Sequence, residues 1–345
     1  MKAVLSFALY GLVALSTWTS ATVLRGTLES AALGVQKAYR IYLPAGYDDS
    51  TRHYPVIYLL HGWGVTENYW ADNMGLAQTA DAMKLQAIIV MPDGDRSFYA
   101  NSSGSVDFNA CMTDTAPQSN KQEPRKEFCV RAPMYENYII QDLIPHIDGR
   151  YRTIAKREAR AIAGESAGGF GAMQLVLRNN KLFSSVAAHS AFLSLLYEGP
   201  RPYERGKVKN RSSIAPDKMN PAAVEAFGTD LARWRAHDPV SLVDGLSNGE
   251  LSIYFDVGVQ DEYGFHDEAL YFHERLVARG IAHRFESVPG KHEDALWRQR
   301  IKYSLQFHAD HFQRRGVYGV RIGKPRTDAQ QHIGGDAHEA ARASM

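Results

Sequence analysis

The sequence predicts an α/β fold with a mostly parallel central sheet and helices on both faces. Strand-like and helix-like runs alternate along most of the 345 residues, which is the pattern of parallel strands joined by helical crossovers. Several strand-like runs are continuously apolar, as strands buried on both faces are. A hydrophobic content of 45% supplies enough apolar side chains for one large core. The sequence shows no internal repeat, so we expect one domain.

The first half of the chain contains four predicted strands and one long helix. Residues 36–43 alternate in polarity and predict an early edge strand, whereas residues 55–60 and 87–91 are unbroken apolar runs typical of central strands. Helical periodicity covers residues 135–150, and the strand-like run 159–163 follows it.

The second half continues the alternation with three strands and two helices. The predicted strands are residues 185–189, 251–257 and 281–288. The predicted helices are residues 267–279, which a glycine ends, and residues 294–314, which carry an amphipathic pattern.

The N-terminus has the features of a secretory signal peptide at residues 1–21. Lys2 precedes the apolar run 4–15, and small residues at positions 19–21 fit a cleavage site. A membrane-spanning helix needs ~20 apolar residues, and this run is shorter. We therefore expect a secreted or periplasmic protein with no stable membrane insertion after signal cleavage.

The remaining chain divides into one catalytic domain at 22–315 and a tail at 316–345. The tail has few apolar residues and no periodicity, so we expect it to be flexible. A polar insertion at 97–133 contains the two cysteines, Cys111 and Cys129. An even cysteine count in an exported protein favours a disulfide, although two separate thiols remain the alternative.

Charge gives no indication of a nucleic-acid partner. The formal net charge is +1 and the pI is about 7.8, so the protein has no global basic field. Residues 198–213 hold five basic side chains together with prolines and glycines. We interpret this stretch as a solvated surface loop in preference to an anion site.

The hexapeptide at 164–169, Gly-Glu-Ser-Ala-Gly-Gly, is the most informative motif. It lies between a strand-like and a helix-like run, which is the context of a nucleophile elbow: small neighbours allow the tight turn that exposes the hydroxyl of Ser166. The helix that follows directs free N–H groups toward the same place, where an oxyanion can form.

An acid and a base follow later strands in the order that a serine nucleophile needs. Asp261 comes directly after the predicted strand 251–257, and His292 follows the last strand. His292 would take the proton of Ser166 and return it to the leaving group, and Asp261 would hold the imidazole in the correct tautomer. Loss of any of the three typically costs orders of magnitude in rate.

Two other acids and several histidines are alternatives to these assignments. Asp256 lies inside a strand and predicts a structural partner, whereas the neighbouring Glu262 remains an alternative acid. We expect structural roles for the other histidines, which are His189, His266, His283, His308 and His311. His189 lies at a strand end, where it could also line the pocket. His308 and His311 share a helical face but lack a third ligand for a metal ion.

The oxyanion hole needs two backbone donors. We expect one to be the N–H of Ala167, directly after the nucleophile. The second is expected from the loop His61-Gly62-Trp63-Gly64, whose glycines let the backbone turn an N–H inward, and Trp63 is the predicted donor.

Together these motifs resemble the esterase family that includes feruloyl esterases, acetylxylan esterases, S-formylglutathione hydrolases and mycolyltransferases. The matching pieces are residues 58–62, 138–145, the elbow, Asp261 in its glycine-containing loop, and Pro289-Gly290-Lys291-His292 followed by Trp297. The resemblance covers roughly residues 35–315. It implies an α/β-hydrolase fold, an acyl-enzyme mechanism, and neither a metal nor an organic cofactor.

The resemblance also implies a catalytic role for each of the candidate residues. It implies that Ser166, Asp261 and His292 form the catalytic triad, with Trp63 and Ala167 as the oxyanion donors. The insertion at 97–133 and the basic loop depart from the family near the expected pocket mouth, so substrate choice is the least transferable property.

The expected function is that of an exported serine esterase acting on a small-molecule or polysaccharide-linked ester. Export argues against S-formylglutathione hydrolysis, which needs a cytosolic thiol adduct, and leaves feruloyl or acetyl esters of carbohydrate as the leading substrates. The alternatives are an acyltransferase with the same triad and a non-catalytic glycan-binding protein.

Overall fold

The computed structural model describes residues 20–102, 104, 108–115, 124–130 and 133–318. Nearly all of the predicted signal peptide, and the predicted tail from residue 319 onward, lie outside these residues. Among the helices within the described ranges, none has both the length and the apolar composition needed to cross a bilayer.

Eight strands form the central sheet in the order β1-β2-β4-β3-β5-β6-β9-β10. The first two strands are antiparallel to their neighbours, and the remaining pairings are parallel. The strands are β1 Thr22–Ser30, β2 Val35–Leu43, β3 Val56–Leu60, β4 Ile88–Pro92, β5 Arg160–Glu165, β6 Ser185–His189, β7 Tyr197–Gly199, β8 Lys209–Asn210, β9 Ser252–Gly258 and β10 Arg284–Val288. The short β7 and β8 pair separately as a hairpin.

Eleven α-helices are present in the described part of the chain. They are α1 Leu76–Ala82, α2 Phe108–Thr113, α3 Arg125–Val130, α4 Tyr135–Asn137, α5 Ile144–Arg150, α6 Ser166–Arg178, α7 Pro221–Phe227, α8 Leu231–Arg235, α9 Pro239–Leu242, α10 Phe265–Ala278 and α11 Asp294–Arg314. A π-helical segment, Tyr138–Leu143, joins α4 to α5, so the helix predicted at 135–150 is one continuous rod with a wider turn in the middle.

Successive side chains of the strands pack into apolar layers on opposite faces of the sheet. Helices cover both faces because both layers must be shielded from water. In β3, for example, Tyr58 belongs to the layer under α5, α6 and α10, while Ile57 and Leu59 belong to the layer under α1 and α11. Both layers are almost fully closed to solvent, and successive side chains of a strand point to opposite faces. The predicted α/β-hydrolase arrangement of the sheet is confirmed.

The prediction that residues 36–43 form an edge strand is wrong. β2 pairs with β1 on one side and with β4 on the other, and β1, which the sequence pattern did not reveal, occupies the edge. β1 is hard to recognise because most of its side chains are exposed or half-exposed, with a burial pattern that begins to alternate only at its end.

The insertion predicted at 97–133 begins inside the core. Phe98, Tyr99 and Ala100 are buried, and the Tyr99 hydroxyl donates a hydrogen bond of 2.9 Å to the carbonyl of His61. Farther along, the structure joins Cys111 and Cys129 in a disulfide with a Cα–Cα distance of 5.6 Å. The start of the predicted tail is also packed. Val317 is only 8% exposed and belongs to the apolar layer under α1 and α11.

Candidate active site

The turn between β5 and α6 holds Ser166 in a strained conformation at the carboxyl end of the sheet. Ser166 has φ +52°, a left-handed conformation that costs a residue other than glycine about 1–2 kcal/mol. A Cβ on Gly168 would lie 2.6 Å from the carbonyl oxygens of Leu60 and His61, and one on Gly164 would collide with the backbone of Gly168. Small residues are therefore a steric requirement of this turn, as in a nucleophile elbow.

His292 links Ser166 to Asp261 through its two ring nitrogens. Nε2 lies 2.9 Å from Ser166 Oγ, and Nδ1 lies 2.8 Å from Asp261 Oδ2. Since the Asp261 carboxylate accepts the proton on Nδ1, Nε2 presents a lone pair to the serine hydroxyl. The other oxygen of Asp261 accepts the amide N–H groups of Tyr263 and Phe265 at 3.1 and 3.4 Å. These bonds fix both the carboxylate and the imidazole.

The loops after β9 and β10 are bonded to each other, which sets the distance between the acid and the base. Val259 N–H donates to the Val288 carbonyl at 2.8 Å, and Gln260 N–H donates to the Gly290 carbonyl at 3.0 Å. The loops approach so closely that a Cβ on Gly258 would collide with the Gly290 carbonyl. The parallel β9–β10 pairing thus extends into the site itself.

The two alternative acids have other partners. Glu262 is exposed, and its carboxylate accepts the backbone N–H of His292 at 3.1 Å; its own backbone N–H and that of His292 lower its pKa. Asp256 is buried beneath the sheet end, where it bonds His189 and Arg300 at 2.9 and 2.8 Å. Of the three carboxyls, Asp261 is the one that contacts the imidazole of His292.

The loop after β3 is held by hydrogen bonds to both the N–H and the carbonyl of Gly62. His61 Nδ1 donates to the Gly62 carbonyl at 2.8 Å, while His61 Nε2 accepts the N–H of Gly94 at 2.8 Å. Gly62 N–H donates to the buried carboxyl of Glu165. Gly62 N–H is occupied by this bond, so the predicted oxyanion donor of the loop remains the following N–H, that of Trp63.

The two predicted oxyanion donors lie on elements that converge on the serine. Ala167 is in the first turn of α6 and is 2% exposed, and N–H groups of a first helical turn lack intrahelical partners. Trp63 precedes Gly64, whose φ of +84° lets the loop reverse. The ring of Trp63 is 41% exposed, which places it at the surface beside the site.

Four rings, Trp63, Phe98, Phe192 and Phe265, form an aromatic wall from the oxyanion loop to the acid loop. The Trp63 and Phe98 centroids are 5.0 Å apart, and those of Phe98 and Phe192 are 5.6 Å apart. Phe192 lies 5.4 Å from Phe265. Phe265 and the exposed Tyr263 then pack edge-on against the His292 ring at 5.2 and 4.8 Å. The site is therefore bordered by apolar, rigid side chains.

The other predicted candidates lie away from this site. His189 is fully buried between Asp256 and Ser304, with Nδ1 2.9 Å from Asp256 Oδ1 and Nε2 2.9 Å from Ser304 Oγ. Although this is also a Ser-His-Asp sequence of contacts, Ser304 donates its proton to the Ile301 carbonyl at 2.9 Å and has no access to solvent. It is a structural network, and His189 does not line the pocket.

The other four candidate histidines are hydrogen-bonded to side chains outside the site. Their contacts are His266 with Ser287, His283 with His273, His308 with Ser185, and His311 with Ser184 and Ser252. The basic loop is likewise engaged at the surface: Arg201 bonds Glu268 at 3.0 Å and Arg205 bonds Glu274 at 2.9 Å. These ion pairs fit the surface-loop interpretation.

The sequence reasoning missed two residues that border the site. Glu165 lies directly before the nucleophile, so its position was visible, but its burial against the loop of Gly62 was not. Tyr263 follows Asp261 by two residues and reaches the imidazole only because the loop folds back toward β10.

Fold and site together define the class: the sheet order, the serine elbow and the serine, acid and histidine in that chain order are those of an α/β hydrolase. The esterase family model matches residues 30–308, so the chain belongs to this esterase family.

Individual relatives agree with this assignment. An esterase of Mycobacterium tuberculosis is 29% identical over 281 residues, which are 76% of this chain and 54% of the relative; the chain thus spans about half the length of the curated relatives it matches. An endo-1,4-beta-xylanase/feruloyl esterase of Xylanibacter ruminicola is 30% identical over 167 residues, 46% of this chain and 20% of that protein. The solved structure of a ferulic acid esterase superposes with a TM-score of 0.62 and 23% identity, covering 85% of this chain and 99% of that one.

Proposed function

We propose that this chain is a serine carboxylic-ester hydrolase that works through an acyl-enzyme on Ser166. The proposal rests on the hydrogen bonds that connect Ser166, His292 and Asp261. His292 Nε2 lies 2.9 Å from Ser166 Oγ, and His292 Nδ1 lies 2.8 Å from Asp261 Oδ2. Membership of the esterase family supports the same reaction.

The chemistry follows from the proton positions. Ser166 Oγ attacks the ester carbonyl carbon as His292 Nε2 takes its proton, and the imidazolium is stabilised by Asp261. The carbonyl oxygen, now negative, is received by the N–H groups of Trp63 and Ala167. The ester C–O bond breaks as His292 gives the proton to the leaving alcohol. Water, deprotonated by His292, then releases the carboxylic acid and restores Ser166.

The aromatic wall favours an aromatic acyl group over acetate. Phe98 and Phe192 belong to the same apolar cluster as Ala167, one of the proposed oxyanion donors. A flat ring gains contact with such a surface, and aromatic pairs add about 0.5–1.5 kcal/mol beyond area burial. We therefore place a feruloyl-type ester before an acetyl ester. The feruloyl esterase named among the relatives supports this choice.

We further propose that the protein is exported and that its alcohol partner is a carbohydrate. The disulfide between Cys111 and Cys129 suits an oxidising compartment, as does the signal peptide predicted at 1–21. Trp63 and Tyr263 offer exposed rings at the mouth of the site as a surface for the carbohydrate.

The test is a comparison of initial rates on methyl ferulate, p-nitrophenyl acetate and longer p-nitrophenyl esters, with Ser166→Ala measured beside the wild type. We expect the highest kcat/KM on the feruloyl ester and a loss of at least about 10³-fold in Ser166→Ala. A folded Ser166→Ala variant with near-normal turnover would refute the serine mechanism. A preference for acetate would refute the aromatic acyl pocket while leaving the serine mechanism standing. Product analysis with an added sugar acceptor separates hydrolysis from acyl transfer.

A further inference from the structure

The residue directly before the nucleophile, Glu165, is a buried acid that the mechanism above does not use. It is 1% exposed and closes β5 in an extended conformation, with φ −118° and ψ 151°. Its carboxyl accepts the N–H of Gly62. A Cβ at residue 62 would collide with both carboxyl oxygens, so only glycine allows the contact.

The bond made by Glu165 holds the N–H of Gly62, which belongs to the His61–Gly62 peptide, directly before the peptide that carries a proposed oxyanion donor. The carbonyl of Gly62 and the N–H of Trp63 belong to the same planar peptide unit, and in a trans peptide they point in opposite directions. His61 Nδ1 holds that carbonyl at 2.8 Å, and Glu165 holds the preceding N–H. The two bonds together fix the direction in which Trp63 N–H points.

The surroundings of Glu165 favour its neutral form. In the described part of the chain no lysine, arginine or histidine forms an ion pair with it, and the charged group acting on it is the carboxylate of Asp294. Tyr69, which donates to Asp294 at 2.7 Å, and Tyr99, which donates to the His61 carbonyl, also face it. Burial first, and then Asp294, raise the pKa of Glu165 to about 8, against the lowering effect of the Gly62 bond.

We propose that Glu165 is a positioning residue that, as an uncharged carboxylic acid, holds the His61–Gly62 peptide and thereby keeps the adjoining Gly62–Trp63 peptide ready to receive the oxyanion. The inference rests on the proposed serine mechanism. It assigns two consequences to this carboxyl. The acceptor oxygen keeps the donor aligned, and the absence of charge spares the developing oxyanion from repulsion by an anion one residue from the nucleophile.

Ionisation of Glu165 should reduce kcat at high pH. Below a pH of about 8 Glu165 carries its proton and the oxyanion hole is neutral. Above that pH the carboxylate forms, repels the oxyanion and reduces kcat. The wild-type kcat should therefore fall by about tenfold between pH 8 and pH 10, with little change in KM, because the interaction is felt mainly in the transition state.

The experiment measures kcat and KM from pH 6 to pH 10 for the wild type, Glu165→Gln and Glu165→Ala. Glutamine keeps an oxygen for Gly62 N–H and cannot ionise, so we expect kcat within about threefold of the wild type at pH 7 and no fall at high pH. Alanine removes the acceptor and should reduce kcat by about 10²-fold at pH 7, the scale of losing one oxyanion donor, with KM nearly unchanged.

A second measurement does not depend on replacing Glu165. Asp294→Asn keeps an oxygen for the Tyr69 hydroxyl but removes the charge that helps to raise the pKa of Glu165, so the fall in kcat should move to lower pH. The proposal is overturned if the wild-type kcat stays flat to pH 10, if Glu165→Gln retains the fall, or if Asp294→Asn moves it upward. Ser166→Ala, measured in parallel, reports separately on the serine mechanism.

Discussion

Asp261 and Glu262 are neighbours with the same kind of side chain, yet they hold different parts of His292. Asp261 contacts ring Nδ1 at 2.8 Å, has a fully covered side chain, and is fixed by two backbone N–H groups. Glu262 is exposed and contacts only the backbone N–H of His292 at 3.1 Å. The difference lies in which way the loop turns each residue, and the sequence alone did not decide it.

Substitution of the two acids should separate these roles. We expect Asp261→Ala to lower kcat by about 10³-fold or more, because the imidazole loses the group that fixes its tautomer. Glu262→Ala should lower kcat by less than about tenfold, because the ring contacts remain. Steady-state kinetics on one ester at pH 7.5 measures both. If Glu262→Ala were the more damaging change, the acid assignment would have to be exchanged.

At the scale of elements, α11 is joined to the sheet by polar contacts as well as by its apolar stripe. His308 Nδ1 bonds Ser185 Oγ at 2.8 Å, and the two ring nitrogens of His311 bond Ser184 and Ser252 at 2.8 and 2.9 Å. Burial and the nearby His311 and His189 lower the pKa of His308 to about 3; burial and nearby arginines lower that of His311 to about 4. Both side chains are therefore neutral in the folded protein at pH 7.

Acid should weaken the docking of α11. The pKa of each histidine is lower in the folded state than its ordinary value of 6.5, so the unfolded chain binds more protons once the pH falls below 6.5. The free energy of unfolding that the neutral histidines contribute above pH 6.5 is lost as the pH falls toward their pKa values in the folded state. The loss is up to ~1.4 kcal/mol per pH unit for each histidine. The wild type should thus lose ~2 kcal/mol per histidine between pH 6.5 and pH 5.

Urea unfolding at pH 7 and pH 5 measures this loss. His308→Asn should show a pH loss smaller than the wild type by ~2 kcal/mol, whereas Gln306→Asn, at an exposed position of the same helix, should keep the wild-type loss. Equal pH dependence in all three proteins would show that His308 does not titrate in this way.

For the whole molecule, Arg300 joins three elements beneath the active site. From α11 its guanidinium reaches Asp256 in β9 at 2.8 Å, the Tyr254 hydroxyl at 2.5 Å, and Glu286 in β10. Burial by itself would raise the pKa of Asp256, but His189 and Arg300 hold it below its usual range. The network therefore ties α11 to the two strands whose loops carry Asp261 and His292.

Breaking this network should destabilise the entire fold. Arg300→Met removes the arginine that pairs with the buried Asp256 carboxylate, which we expect to cost ~3–5 kcal/mol. Arg298→Met is the matched control, since Arg298 is exposed and bonds one backbone carbonyl, and it should cost less than about 1 kcal/mol. Chemical denaturation gives both free energies of unfolding, and similar losses for the two variants would contradict the assigned role of Arg300.

The sequence by itself determined the features that depend on local pattern. Apolar periodicity located the central strands and the long helices, because strand and helix repeats differ within a few residues. The glycines around Ser166 indicated the elbow, since sterics within a single turn demand them, and strand order placed an acid and a histidine at the same edge of the sheet.

Only the tertiary structure decided which groups touch. It brought Phe98, Phe192 and Phe265 together from distant parts of the chain, covered Glu165 with the loop of Gly62, and turned Asp261 toward the imidazole in place of Glu262. It also revealed β1, whose exposed side chains leave little periodic signal. The physical reason is that burial, pKa and hydrogen-bond partners arise from contacts between residues far apart in sequence, which no local pattern of residue types specifies.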